Sequence, residues 1–274
     1  MIGFAGGRFL TGMAVTGAIS VVLFAATWVV ARRVGRWNVV DTVWGLAFVA
    51  IAAASFGWSA PAAASPVRRS LVLALVAVWG LRLAGYIGWR SRGGGEDPRY
   101  AALIRRARGS ESLYALGVIF LPQAFLSWFV SLPVQVAMYQ RSTPGPLVWA
   151  GTAVWAVGLF FEAVGDAQMA AFRNDPANRG RVMDRGLWRY TRHPNYFGDA
   201  TVWTGLYLVA AAAWPGPLTI ASPAAMLYFL YFKSGKALLE KDLSGSKPGY
   251  AAYVERTSGF FPLPPRRGRS GRSR

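Results

Sequence analysis

Apolar stretches near residues 10–31, 39–59, 70–90, 114–138, 146–165, 198–214 and 217–233 constrain this chain more than any other feature of its sequence. Each approaches the ~20 predominantly apolar residues that an α-helix needs to cross a bilayer. Backbone N–H and C=O groups in lipid must be satisfied within the segment, so stretches of this kind become helices. The expected fold is therefore all-α, a polytopic membrane helical bundle of about seven transmembrane helices. Composition points the same way: 54% of the residues are hydrophobic and 15% charged, against roughly a quarter charged in soluble domains. The first stretch is too long for a signal peptide, and its N-terminal flank holds only Arg8, so it reads as an uncleaved helix. Trp214-Pro215-Gly216-Pro217 reads either as a tight turn between two spans or as a kink near a membrane surface.

The formal net charge of +18 would suggest nucleic acid in a soluble protein, but here the arginines fall between the apolar runs and at the C-terminus. Nucleic acid is excluded as the expected partner; membrane lipids and phosphorylated ligands replace it. Arg32, Arg33 and Arg36 follow the first span, Arg90 to Arg108 the third, and Arg173 to Arg192 the fifth, while the alternate loops carry few cations. Basic residues near helix ends stay on the cytoplasmic side. That pattern predicts an outside N-terminus and an inside C-terminus, in what reads as a bacterial inner membrane. Residues 1–261 read as a single transmembrane domain whose cofactor-binding half begins near residue 146. Residues 262–274, rich in Pro, Gly, Ser and Arg, read as a basic disordered tail.

Cysteine is absent and there is one histidine, so thiol nucleophiles and multi-histidine metal centres are excluded and no metal is expected. Ionisable residues within spans cost at least ~2.5 kcal/mol near the bilayer centre and mark candidate sites. Asp41, Arg82, Glu162, Asp166 and Asp199 all fall near the span ends that the charge pattern places inside. Glu162 and Asp166, four apart, share a helix face and need cationic or donor partners.

The densest polar segment is GLWRYTRHPNYFGDATVW, residues 186–203. Pro194 suits the first turn of a helix, whose free N–H groups and dipole attract anions. Arg189, Arg192 and His193 precede it, and Arg173, Arg179 and Arg181 lie upstream, a set able to hold several phosphates. Asn195 and Asp199, one turn apart, offer amide and carboxylate contacts to a ribose or carboxamide. Trp188, Tyr190 and Tyr196 suit either an interfacial aromatic belt or stacking on a base. Arginines serving only as topological signals explain the charge, but not the interleaved Asn195, Tyr196 and Asp199. Neither of the common nucleotide-binding glycine motifs is present.

The runs NVVDTVWG, VWGLRL, GEDPRY, FEAVGDAQMAAF, RYTRHPNYFGD, LLEKD and PGYAAYVERTSGFFPLPP, in this order from about residue 38 to 265, resemble the DUF1295 membrane proteins. Those proteins are similar to the C-terminal domain of steroid 5-alpha reductases and, more distantly, to isoprenylcysteine carboxyl methyltransferases. The resemblance implies an NADPH site: Asp166, Arg173, Arg181, Tyr190, Asn195 and Asp199 match polar cofactor contacts. Glu162 stands where the steroid enzymes have Asn, and Asp199 where they have Glu. Their Gln-Glu pair and Tyr near the substrate carbonyl have no clear match in spans two and three; Asp41, Tyr86 and Gln123 are the local candidates for catalysis.

Two functions are therefore expected. One is an NADPH-dependent reductase, an oxidoreductase acting on the CH–CH bond of a lipophilic enone or olefin, with the protein placing and polarising the substrate. The alternative is an S-adenosylmethionine-dependent methyltransferase of a prenyl or phospholipid acceptor. S-adenosylmethionine carries no phosphate, so the arginine cluster favours the reductase.

Overall fold

A computed structural model describes residues 4, 6–62, 64–233 and 249–266. Among these residues the chain is helical and forms no strand, only two isolated bridges, Phe4 with Gln140 and Thr191 with Ser258. Five helices are long and apolar enough to cross a membrane: Gly6–Val34, Val39–Ala62, Pro66–Arg90, Glu111–Val130 and Pro146–Asn174. Large apolar side chains such as Val22, Leu81, Phe125 and Phe160 stand exposed along them, a surface that lipid and not water would cover. The protein is an all-α polytopic membrane protein.

We label the helices α1 (Gly6–Val34), α2 (Val39–Ser59), α3 (Pro66–Arg90), α4 (Pro98–Ile104), α5 (Glu111–Ala115), α6 (Leu121–Val130), α7 (Leu132–Ala137), α8 (Pro146–Asn174), α9 (Pro194–Ala211), α10 (Ala221–Tyr228) and α11 (Tyr250–Arg256). A π turn at Leu116–Phe120 joins α5 to α6. Pro122, just beyond it, has no N–H to donate, which removes one α-type bond where the ladder widens. The expected spans at 198–214 and 217–233 correspond to α9 and to α10 with its following turn. α9 has 18 residues, and Asn195 and Asp199 in its first half keep it below the apolarity of the five. Between them the chain turns at Ala211–Gly216, where Gly216 N donates to Ala213 O at 2.8 Å. Lys233 is the last residue described after α10; the LLEKD run, and the tail beyond Arg266, lie outside the described residues.

The chain divides into two compact units, Met1–Trp149 with Tyr207–Ser222, and Ala150–Leu206 with Pro223–Arg274. In the first, α2 and α3 cross at Gly45 and Gly80, where an added Cβ on Gly45 would fall 2.1 Å from Gly80 O. α1 is tied to α6 and α7 by buried polar contacts: Ser20 Oγ donates to Ala124 O at 2.8 Å and Thr16 Oγ1 to Gln135 Oε1 at 2.7 Å. Phe24, Ala31, Val40, Ile104 and Phe120 close a core that seats α4 against this bundle. Arg68, which the charge pattern places in an outer loop, is 1% exposed. Its guanidinium donates to Gln140, Ser142 and the carbonyls of Val209 and Thr143, so it organises a chain turn.

The second unit rests on close crossing of α8 and α9. Gly158 and Gly198 face each other's backbones, and Gly205 meets Trp155 N, with room for no side chain at any of the three. This packing through small residues is how helices approach closely where lipid supplies no hydrophobic drive between them.

Candidate functional site

In the first unit, polar residues distant in sequence converge at the start of α2. Glu96 accepts from the N–H groups of Trp37, Asn38 and Asp97, capping the turn that opens α2. Asn38 Nδ2 donates to Gly95 O at 2.9 Å, and Arg36 donates to Gly94 O, so the Gly93-Gly94-Gly95 loop is fastened. Asp97 caps α4 through Arg99 N and holds the Arg99 guanidinium by two prongs, at 3.0 and 2.8 Å. Burial works against the charge on Asp97, but the hydrogen bonds from Arg99 outweigh it and hold this carboxyl below its ordinary range.

Capping in this way aims Tyr100 at Asp41. The Tyr100 hydroxyl donates to Asp41 Oδ1 at 2.5 Å, and Arg99 Nη2 stands 3.7 Å from Asp41 Oδ2. Gln123 completes the group: its Oε1 accepts from Trp44 Nε1 at 2.5 Å, and its amide lies near enough to the Tyr100 hydroxyl to act on its ionisation. An indole only donates, so Trp44 fixes which end of the Gln123 amide faces it and leaves the NH₂ for the phenol. Burial and then the negative charge of Asp41 push ionisation of Tyr100 well above the ordinary tyrosine value. The result is a phenol that stays protonated, held by a carboxylate with an amide and a guanidinium nearby.

The structure thus brings together two of the three catalytic candidates, Asp41 and Gln123, around Tyr100, which sequence reasoning passed over inside GEDPRY. Tyr86 is held differently, against Trp89, with Arg82 and Arg90 over its ring. The signal that could have found Tyr100 is Asp41 itself: a carboxylate opening a span needs a donor, and the polar GEDPRY run supplies one.

The cofactor candidates lie in the second unit. Glu162, Asp166, Arg192 and His193 are buried, Asn195, Tyr196 and Asp199 half-buried, and Arg173, Arg181 and Tyr190 exposed. Asn195 Nδ2 donates to Asp166 Oδ1 at 3.3 Å, joining the start of α9 to α8. Asn195 Oδ1 accepts from Tyr196 N at 3.1 Å, so one of the N-terminal donors expected to be free is already used. His193 and Tyr196 stack with rings 5.4 Å apart. Arg192 has structural work: its Nη1 donates to Val254 O and Thr257 O, at 3.0 and 2.7 Å, and holds the end of α11. Gln168 and Gly165 fasten the turn at 186–189, through Leu187 N to Gln168 Oε1 and Trp188 Nε1 to Gly165 O. Gly186, with φ of 57°, takes the left-handed conformation this turn needs, and a side chain there would strike Gln168.

The second unit thus offers acids and an amide on α8 and α9, groups able to bond hydroxyls and carboxamides, and the exposed guanidiniums of Arg173 and Arg181, groups able to bond phosphates. Among the described residues no group of three His, Cys, Asp or Glu could hold a metal ion.

These features define a multi-spanning helical membrane protein with polar groups gathered at helix ends. The chain belongs to the family described as "Protein of unknown function (DUF1295)", whose model matches residues 27–257. It is 24% identical over 220 residues to an uncharacterized protein of Schizosaccharomyces pombe, covering 71% of this chain and 64% of that one. It is 29% identical over 93 residues to a probable O-methyltransferase of Ustilaginoidea virens, covering 34% of this chain and 31% of that one. The chain therefore spans less than two thirds of the length of either relative. No solved structure matches.

Proposed function

We propose that this protein is a membrane-embedded NADPH-dependent reductase of a lipophilic enone or olefin. The observation that carries this reading is the Tyr100 phenol, kept protonated beside Asp41 and Gln123, a group suited to hydrogen-bonding the carbonyl that polarises a double bond. The bound nicotinamide would supply the hydride. Tyr100 would shift its O–H from Asp41 to the substrate oxygen, while Arg99 continues to balance the Asp41 charge. In the second unit, Arg173 and Arg181 would hold phosphates, Asn195, Asp199, Asp166 and Glu162 would hold ribose and carboxamide, and Tyr190, Tyr196 and His193 would offer ring faces. The resemblance to steroid 5-alpha reductases supports the same chemistry.

Arg173→Ala and Arg181→Ala are each expected to weaken NADPH binding about tenfold or more, the scale of a lost hydrogen bond to a charged group, with melting temperature unchanged. Both arginines are exposed, and a loss of affinity at an unchanged melting temperature separates ligand binding from a structural role, which would lower the melting temperature and leave affinity in place. Unchanged affinity in both variants would remove them from the site.

A second reading, S-adenosylmethionine-dependent methyl transfer, is favoured by the similarity to the probable O-methyltransferase. That similarity reaches only a third of this chain, and the methyl donor has no phosphate for the arginines to hold.

The proposed topology, in a bacterial inner membrane, has the N-terminus outside and the arginine-rich loops and C-terminus inside. A reporter fused after Arg274 is expected to be active only on the cytoplasmic side. Activity on the opposite side would reverse the orientation.

A further inference from the structure

A cleft of about 530 Å³ opens in the second unit where the turn at 186–189 meets the end of α11 and the chain beyond it. Arg185, Arg189, Arg256 and Arg266 line it, with one carboxylate, Asp184, already engaged by the Arg256 guanidinium. The cleft is built by backbone pairing and not by loose side chains. Leu263 N donates to Tyr190 O at 3.0 Å and Arg266 N to Arg256 O at 2.8 Å, which seats the segment through Arg266, expected from the sequence to be the start of a disordered tail. Tyr253 Oη donates to Trp188 O at 2.6 Å and fastens α11 to the same turn.

Four guanidiniums facing one carboxylate leave an excess of positive charge that a phosphate's oxygens would satisfy. The neighbouring chain points to the kind of phosphate. Phe261 and Leu263, in the segment that leads into Pro265 and Arg266 of the cleft, are 65% and 53% exposed. A soluble anion gains nothing from apolar side chains beside its site. A phospholipid does, because its acyl chains begin where its headgroup ends.

We propose that this cleft binds the phosphate of an anionic membrane lipid, with Arg185, Arg189 and Arg266 on the headgroup and the exposed Phe261 and Leu263 toward the acyl chains. Arg189 apart, which the sequence groups with the phosphate-binding arginines, the cleft arginines lie outside the cofactor set, and Arg266 tests the inference separately from the reductase reading.

The full chain, purified in a neutral detergent, would be titrated with short-chain phosphatidylglycerol, phosphatidylcholine and inorganic phosphate while bound lipid is counted by native mass spectrometry. Phosphatidylglycerol is expected to bind about tenfold or more tighter than phosphatidylcholine. That preference should vanish in the Arg189→Glu/Arg266→Glu double variant. Arg266→Ala alone, an exposed change near the chain end, should lower it in a protein whose fold is not in question. Equal binding of the two lipids, or a preference that survives in both variants, would overturn the proposal. Displacement of phosphatidylglycerol by an equal concentration of inorganic phosphate would also overturn it, by making the site one for soluble anions.

Discussion

Tyr100→Phe is expected to lower enone-dependent NADPH oxidation by about 10²- to 10⁴-fold, the range that a positioned proton donor contributes. The substitution removes one oxygen, and the ring keeps its place on α4, so the melting temperature should move little. Asp41→Asn separates donation from positioning: the amide can still accept from Tyr100, but one of the two carboxylates facing Arg99 is gone, with Asp97 still holding the guanidinium. Turnover should fall less in Asp41→Asn than in Tyr100→Phe. The pH profile carries the same information. An acid acts while protonated, and burial with the Asp41 charge raises the ionisation of Tyr100. The alkaline limb should therefore show no loss near the ordinary tyrosine value of about 10. Full turnover in Tyr100→Phe would remove the phenol from the reaction.

Gly198→Leu is expected to prevent recovery of folded protein. A Cβ at this position would fall 2.5 Å from Glu162 N and 2.7 Å from Gly158 O. Those are backbone atoms of the facing helix and cannot turn aside as a side chain can. Overpacking a core that can adjust costs ~1–3 kcal/mol; here the helices themselves must separate, against a total stability of ~5–15 kcal/mol. Gly57→Leu on α2 supplies the control, because nothing lies within 4 Å of its added Cβ. The comparison is read from the yield of monodisperse protein in detergent and its melting temperature. A Gly198→Leu protein that melts like Gly57→Leu would contradict the α8–α9 crossing.

What the sequence could disclose depended on how local the physics was. The first three spans and α8 were legible because lipid demands ~20 apolar residues in one run, a property of consecutive residues. The end of α8 was not. It continues nine residues past the expected 165, since Asp166 and Gln168, which look like a polar stop, are satisfied by Asn195 and Leu187 N. The run at 114–138 similarly hides a break, as helix ends at Val130 and restarts at Leu132 before Pro133. Arg68 and Arg192 looked like topological or phosphate-binding cations because arginine's charge is visible in sequence and its carbonyl partners are not. For the same reason Asp41 and Gln123 could be named as candidates, while Tyr100, which joins them, could not: their meeting depends on how α4 is capped and seated.

The measurement that tests the central claim most directly is ligand-dependent thermal stability of the purified chain, titrated separately with NADPH, NADH and S-adenosylmethionine. A ligand at a hundred times its dissociation constant adds ~2.7 kcal/mol of stability to the folded state. The reductase reading predicts a rise in melting temperature with NADPH, a smaller one with NADH, and none with S-adenosylmethionine, and it predicts that the NADPH rise is lost in the Arg173→Ala/Arg181→Ala double variant. Stabilisation by S-adenosylmethionine with NADPH silent would contradict it.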